Sequence, residues 1–190
     1  LVNRKQWEEK GYNLPKFHRE AVTAATKENP FWIHFGPGNI FRAFQANVVQ
    51  NSLNEGLLDR GIVAAEGYDY EIIEKMNHPH DDYNLLVTLK ADGNVEKTVV
   101  GSVVESLTVD STNEKDFGRL IEIFGKDSLQ IVSFTITEKG YSLVNGKGES
   151  LPGVEDDFAN GPKKAMSYMG KVAALLYARY SNWQSLFLCF

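Results

Sequence analysis

Phe31-Trp32-Ile33-His34-Phe35-Gly36-Pro37-Gly38-Asn39-Ile40-Phe41-Arg42 carries the strongest structural signal in the chain. An apolar run meets a Gly-x-Gly turn, and an amphipathic segment follows directly. A dinucleotide-binding βα unit begins in this way. Gly36 allows a tight turn there, and Gly38 lets the backbone approach a pyrophosphate. The helix that follows, opening at Asn39, Ile40, Phe41 and Arg42, aims its free N–H groups at phosphate charge. Phe41 stands where the usual fingerprint carries a third glycine. The glycine pattern by itself is therefore also that of an ordinary strand-to-helix turn.

Working outward, residues Leu1 to Asn29 are polar and helical in character, interrupted by Pro15 and ended by Pro30. They read as an N-terminal extension (residues 1–29) packed outside a sheet, with residues 30–190 as the dinucleotide-binding domain. Phe41, Phe44 and Val48 recur at i, i+3 and i+7, flanked by Ile40, Val49 and Leu53, which predicts a helix face closed by Gly56. Gly61 to Glu66 is the next short buried strand. Strand, helix, strand is the parallel crossover unit. Ile72, Ile73 and Met76 predict a short helix. Leu85 to Leu89 and Val95 to Val109 read as strands joined at Asp92-Gly93, a hairpin signal. Phe117, Leu120, Ile121 and Phe124 mark a helix, and Leu129 to Phe134 a buried strand. Glycine-rich turns fill Gly140 to Gly161. Met166, Met169, Ala173, Leu176 and Tyr180 form the stripe of a last helix, and Leu186 to Phe190 reads as a core strand. The expected fold class is α/β: a Rossmann-like, doubly wound, mostly parallel sheet with an inserted β-hairpin. A bare apolar strand at the end of the chain would leave an unfinished edge, so a fragment of a longer protein is expected, with an uncovered face able to self-associate.

Composition narrows the class. The 190 residues suit one domain, and 43% of them are hydrophobic. The net charge is −5 with no basic run, which argues against nucleic acid and against an anionic membrane surface. The single cysteine, Cys189, excludes an internal disulfide and a multi-cysteine zinc site. No signal peptide or membrane-spanning run is visible. A cytoplasmic protein is expected.

An acid after the second strand would hold the adenosine ribose hydroxyls, and Glu66 and Asp69 are the candidates. Asp69, just beyond the strand tip, is favoured. A carboxylate there repels a 2′-phosphate, so NAD is expected over NADP. The second candidate cluster is Ser133 to Tyr141. There Thr135 and Thr137 share one face of an extended segment and suit a nicotinamide ribose, while Glu138 and Lys139 would lie near substrate. The alternative is a strand-end turn with an exposed Glu-Lys pair. His78-Pro79-His80-Asp81-Asp82 holds metal-ligand types without a third ligand to complete a site, so no metal is expected. His34, beside two aromatics, reads as a packed core residue. No nucleophile elbow is present.

Two segments together resemble one family. His34-Phe35-Gly36-Pro37-Gly38-Asn39-Ile40-Phe41-Arg42-Ala43-Phe44-Gln45-Ala46 is similar to a signature in which Gly-x-Gly is followed by an aromatic and then Arg-Ala-x-Gln-Ala. Thr135-Ile136-Thr137-Glu138-Lys139-Gly140-Tyr141 is similar to that family's second signature. The family is the polyol-specific long-chain dehydrogenases, which includes mannitol 2-dehydrogenase, fructuronate reductase and tagaturonate reductase. The resemblance runs from Pro30 to about Tyr180 and accounts for the missing third glycine, since the family carries an aromatic-Arg pair there. It implies a Rossmann domain that binds a nicotinamide cofactor, hydride transfer at C2 of a polyol, ketose or hexuronate, and no metal. It also implies that the catalytic lysine and its Asn and His partners lie in a helical C-terminal domain, which nothing in this sequence matches. No catalytic residue is assigned here. Lys139, where the mannitol enzymes often have Gly, points toward a hexuronate such as mannonate or fructuronate. The expected partner is therefore a small sugar acid or polyol. A nucleotide-binding module without hydride chemistry and a methyltransferase-like domain remain as the other readings.

Overall fold

The computed structural model describes residues 3–182 and 187–189. Its centre is a five-stranded sheet in which β2 (Trp32–Phe35), β3 (Ile62–Glu66), β6 (Val103–Thr108), β7 (Ile131–Phe134) and β8 (Phe187–Cys189) lie in the order β6-β3-β2-β7-β8. Every pairing is parallel. The chain moves outward one way from β2 and then returns to place β7 on its other side. That reversal makes the crevice between the carboxyl ends of β2 and β7 the binding position of such a sheet. The predicted doubly wound α/β architecture is the one found.

Both faces are covered, which is why the strands read as continuous apolar runs rather than alternating ones. On one face Ile33, Phe35, Val63, Ala65, Val132 and Phe134 meet α5 (Glu114–Phe124) and α8 (Tyr168–Ser181). On the other, Ile62, Ala64 and Val103 meet α2 (Arg19–Glu28) and α4 (Gln45–Asn54). A smaller three-stranded sheet, β1-β5-β4, is built from β1 (Tyr12–Asn13), β5 (Val95–Val100) and β4 (Asn84–Leu89). β4 and β5 form the predicted hairpin, with Gly93 at φ +84° in its turn.

Several sequence expectations are corrected. The segment before Pro30 is more than an outlying extension. It contains α1 (Arg4–Glu9), gives β1 to the small sheet, and buries Val22 and Thr26 of α2. The Thr26 hydroxyl donates to Val22 O (2.6 Å) and accepts the Gly61 N–H (2.8 Å), tying α2 to the start of β3. The helix after Gly38 is not continuous. α3 (Asn39–Ala43) ends at Phe44, where φ −105° and ψ −79° break the spiral before α4 begins. The break turns the buried face, so Phe41, Ala46, Val49 and Leu53 face the core. Ile40, Phe44 and Val48 stand 65%, 68% and 60% exposed. The apolar run Val95 to Val109 is two strands in two sheets. Gln50 of α4 reaches the crossing, donating to Val99 O (2.8 Å) and accepting the Gly101 N–H (2.6 Å). The glycine-rich stretch contains α6 (Glu138–Tyr141) and α7 (Val154–Asn160). In α8 the inward residues are Tyr168, Val172, Leu175 and Arg179, while Met166 and Tyr180 are exposed. Arg179 turns inward because its guanidinium donates to the carbonyls of Phe124, Lys126 and Leu129. Of the last predicted strand, Leu186 and Phe190 lie outside the described residues.

Candidate cofactor site

The site is built at the ends of β2 and β7. Gly36 leaves β2 at φ +89°, and a Cβ there would come within 2.6 Å of the Thr135 carbonyl oxygen. Only glycine meets both conditions. The Gly36 carbonyl accepts the Gly38 N–H (2.7 Å) and the Thr135 hydroxyl (2.8 Å), so it is the pivot of the turn. Gly38 differs from Gly36. Its φ of −74° suits any residue, and a Cβ there would meet nothing within 4 Å. It faces open space and occupies the N-cap of α3, where no side chain accepts from the first turn. The donors of Asn39, Ile40 and Phe41 thus point out of the sheet edge without a side-chain cap, which is the chemistry that phosphate oxygens fill.

Beneath the turn the His34 ring is fully buried and stacks on Phe41, centroids 4.1 Å apart and planes at 7°. This stack explains why a phenylalanine occupies the third-glycine position. The helix start rests on a ring, where a glycine would let it sit directly on the strand. His34 Nδ1 lies 2.7 Å from Ser133 Oγ and Nε2 lies 2.8 Å from Thr135 Oγ1. Burial lowers its pKa to about 4, so the ring is neutral at pH 7. His34 is the packed histidine that its strand position predicts.

At the tip of β3 the two candidate acids divide. Glu66 is buried, and its Oε1 accepts the N–H groups of Gly67, Tyr68 and Asp69 at 2.9, 2.8 and 3.3 Å. It shapes the loop. Asp69 is exposed beyond the tip, and its Oδ1 accepts the Glu71 N–H (3.2 Å). Arg42 turns from the glycine turn toward Met76 Sδ (3.9 Å) and Asn77 Oδ1 (3.5 Å), with its Nε buried and unpartnered. Burial pushes its pKa down. With Asn39, His80 and Tyr83 it lines a 790 Å³ cavity between α3 and the small sheet. Thr135 spends its hydroxyl on the turn. Thr137 caps the position before α6 without a side-chain bond, and Glu138 and Lys139 are exposed just after it.

Some residues at this edge carried no sequence signal. Tyr68 stacks on Tyr168 with centroids 5.1 Å apart, beside Glu66. Lys171, buried on α8, donates from Nζ to Tyr70 Oη (3.2 Å), and burial lowers its pKa. Aromatic and lysine positions on separate elements leave no spacing to read, so only the packed structure brings them together. The His78 and His80 rings bond to the carbonyls of Ser106 and Met76. Among the described residues no group of three His, Cys, Asp or Glu side chains converges where a metal ion could sit.

No family model matches the chain. It is 47% identical over 180 residues to the D-mannonate oxidoreductase of Thermotoga maritima, a match covering 95% of the chain and 33% of that protein. It is 29% identical over 178 residues to the mannitol 2-dehydrogenase of Cereibacter sphaeroides, covering 87% of the chain and 33% of that protein. The fold is that of Pseudomonas fluorescens mannitol 2-dehydrogenase, solved as a ternary complex with NAD and D-mannitol. The TM-score is 0.76 at 24% identity, over 99% of this chain and 37% of that one. The chain spans about a third of the length of the curated relatives it matches. Parallel strand order, a glycine turn at the switch point and close sequence identity to one member lead to the same answer: the chain belongs to the polyol-specific long-chain dehydrogenase family and corresponds to that family's N-terminal Rossmann domain.

Proposed function

We propose that the chain is the cofactor-binding part of an NAD-dependent oxidoreductase that moves hydride between the nicotinamide and a sugar acid, with D-mannonate and D-fructuronate as the first candidate pair. The observation that carries the reading is the turn at the switch point. Gly36 is locked by Thr135, Gly38 opens onto free space, and an uncapped helix start follows. The site fits a dinucleotide. The N–H groups of Asn39, Ile40 and Phe41 would hold the pyrophosphate across the open face at Gly38, with Arg42 adding positive charge nearby. Phe41 contributes its backbone alone, because its ring is buried. Asp69 would accept the adenosine ribose hydroxyls on a loop shaped by Glu66, and its charge favours NAD over NADP. Thr137 would meet the nicotinamide ribose, and Thr135 acts through the turn. Glu138 and Lys139 would face substrate. The bound nicotinamide supplies and receives the hydride. Reduction of a ketone also needs a proton donor, which typically contributes about 10²–10⁴-fold. We place that donor in the part of the relatives that lies outside the match.

The substrate class rests on the 47% identity to a D-mannonate oxidoreductase. Mannitol and fructose are the second reading, favoured by the 29% match to a mannitol 2-dehydrogenase. Residues 30–190 would form the nucleotide-binding unit, with residues 1–29 joined to it through β1 and α2. The protein would work in the cytoplasm on a small-molecule partner. Among the described residues no helix is long and apolar enough to cross a membrane. The deciding assay follows NADH oxidation with fructuronate, tagaturonate and fructose. It is run on this chain and on a protein extended to the relatives' length. Turnover is expected only in the extended protein and fastest with fructuronate. Robust turnover by the 190-residue chain would place the donor among its own residues, Glu138, Lys139 and Tyr141 first.

A further inference from the structure

A run of side-chain hydrogen bonds crosses from β2 to β7 and back, and its two ends fix its direction. Trp32 Nε1–H can only donate, and it gives to Ser133 Oγ at 2.7 Å. The Gly36 carbonyl can only accept, and it takes the Thr135 hydroxyl proton at 2.8 Å. Between them lie the Ser133–His34 contact at 2.7 Å and the His34–Thr135 contact at 2.8 Å. Each hydroxyl has one proton. Thr135 commits its proton to Gly36, so it must accept from His34 Nε2–H. With the ring's one proton on Nε2, Nδ1 is bare and takes the Ser133 hydroxyl proton, while the Ser133 oxygen accepts from Trp32. The neutral Nε2–H tautomer satisfies every contact. The Nδ1–H tautomer would leave either the Gly36 carbonyl or His34 Nε2 without the Thr135 proton. An imidazolium would leave the Ser133 proton without an acceptor in this run, and burial disfavours the charged ring more than the nearby Gly36 backbone favours it.

We infer that His34, held as the Nε2–H tautomer, is a positioning residue for the phosphate-binding turn: by donating to Thr135 Oγ1 it keeps the Thr135 hydroxyl donating to the Gly36 carbonyl, and its face carries the Phe41 ring on which α3 starts. The inference rests on the dinucleotide reading for its effect on binding, though its geometric half stands without a cofactor. The Gly36 carbonyl also accepts the Gly38 N–H at 2.7 Å. Loss of the Thr135 hydrogen bond would let that carbonyl rotate and loosen the Gly38 amide bonded to it, and with it the start of α3.

Glutamine and asparagine separate the two ends of the ring. The terminal amide of glutamine reaches the Nε2 position and can donate to Thr135. That of asparagine reaches only the Nδ1 position and serves Ser133. A role as mere core filling would not favour the larger amide in this way. The test uses the 190-residue chain, wild type and as His34→Gln, His34→Asn and Thr135→Val. Long-range ¹H–¹⁵N spectra at pH 7 should show His34 as Nε2–H. Hydrogen exchange of the Gly38 amide, measured without cofactor, should stay near wild type in His34→Gln. It should quicken about tenfold in His34→Asn and Thr135→Val, matching one lost hydrogen bond. NADH affinity should follow the same order, with all four proteins melting cooperatively. An Nδ1–H tautomer, or equal Gly38 exchange in all four proteins, overturns the inference. A wild type that shows the expected tautomer and exchange order but does not bind NADH overturns the cofactor reading and leaves the positioning role standing.

Discussion

Two glycines two residues apart do different work at the turn. Gly36 is required by the fold, at φ +89° with a backbone oxygen where a Cβ would go. Gly36→Ala should lower stability by about 2 kcal/mol or more, since a non-glycine there is strained and collides with backbone. The fold does not require Gly38, where a Cβ would meet nothing within 4 Å. Gly38→Val should keep a melting temperature near that of wild type yet lose most NADH affinity in a fluorescence titration. If Gly38→Val bound NADH as tightly as the parent, the pyrophosphate would lie elsewhere. Asp69→Ala should weaken NADH by about 1.5–3 kcal/mol, the range for a charged acceptor. NADPH should suffer less or gain. Equal losses for both cofactors would remove Asp69 from the ribose site and return Glu66 to candidacy. The sequence favours Asp69 only on its place just beyond the strand tip. Both lie within the same short segment, and only the loop that wraps around Glu66 Oε1 separates their work.

At the scale of elements, polar side chains decide where apolar runs stop. Val95 to Val109 carries no break strong enough to split it on sequence. Gln50, buried on α4, satisfies the carbonyl of Val99 and the amide of Gly101 where the chain leaves one sheet for the other. Gln50→Leu would leave both backbone groups buried and unpaired. At about 1–3 kcal/mol for each unsatisfied group, a loss of roughly 2–6 kcal/mol is expected in denaturant melts. A loss below about 0.5 kcal/mol would show that water or a shifted backbone replaces the glutamine. The helix stripes teach the same lesson. The α5 stripe was read nearly correctly from Phe117, Leu120 and Phe124, because that helix is unbroken and packs one face on the sheet. The stripe after Gly38 was misread because the break at Phe44 resets the phase. In α8, Met169 and Leu176 of the expected stripe pack against the core, while Tyr180 is exposed and Arg179, a charged residue, turns inward to loop carbonyls.

At the scale of the whole molecule, His34 couples the fold to acidity. Its folded pKa, about 4, is below the ordinary value of 6.5 because burial disfavours the charged ring. The unfolded chain therefore takes up a proton near pH 6.5 that the folded chain refuses until about pH 4. Stability from this group is complete above pH 6.5 and is lost as the pH falls toward 4, by about 3 kcal/mol in all. Urea melts from pH 7 to pH 4 should show this slope in wild type and a shallower one in His34→Gln. Identical slopes would mean that His34 does not titrate with unfolding. The sequence by itself determined the architecture: short apolar runs alternating with helical stripes, and a glycine turn after the first of them, leave a parallel α/β sheet as the fold that buries them. It also marked the two segments that meet at the switch point, because strand ends and glycine turns are local features. Tertiary structure alone decided which glycine serves the fold and which faces open space. It also decided which acid is free, where α3 breaks from α4, and how His34 joins Thr135 to Gly36. Each of these depends on side chains from distant segments competing for the same few backbone groups, and that competition exists only once β2, β7 and α3 are packed together.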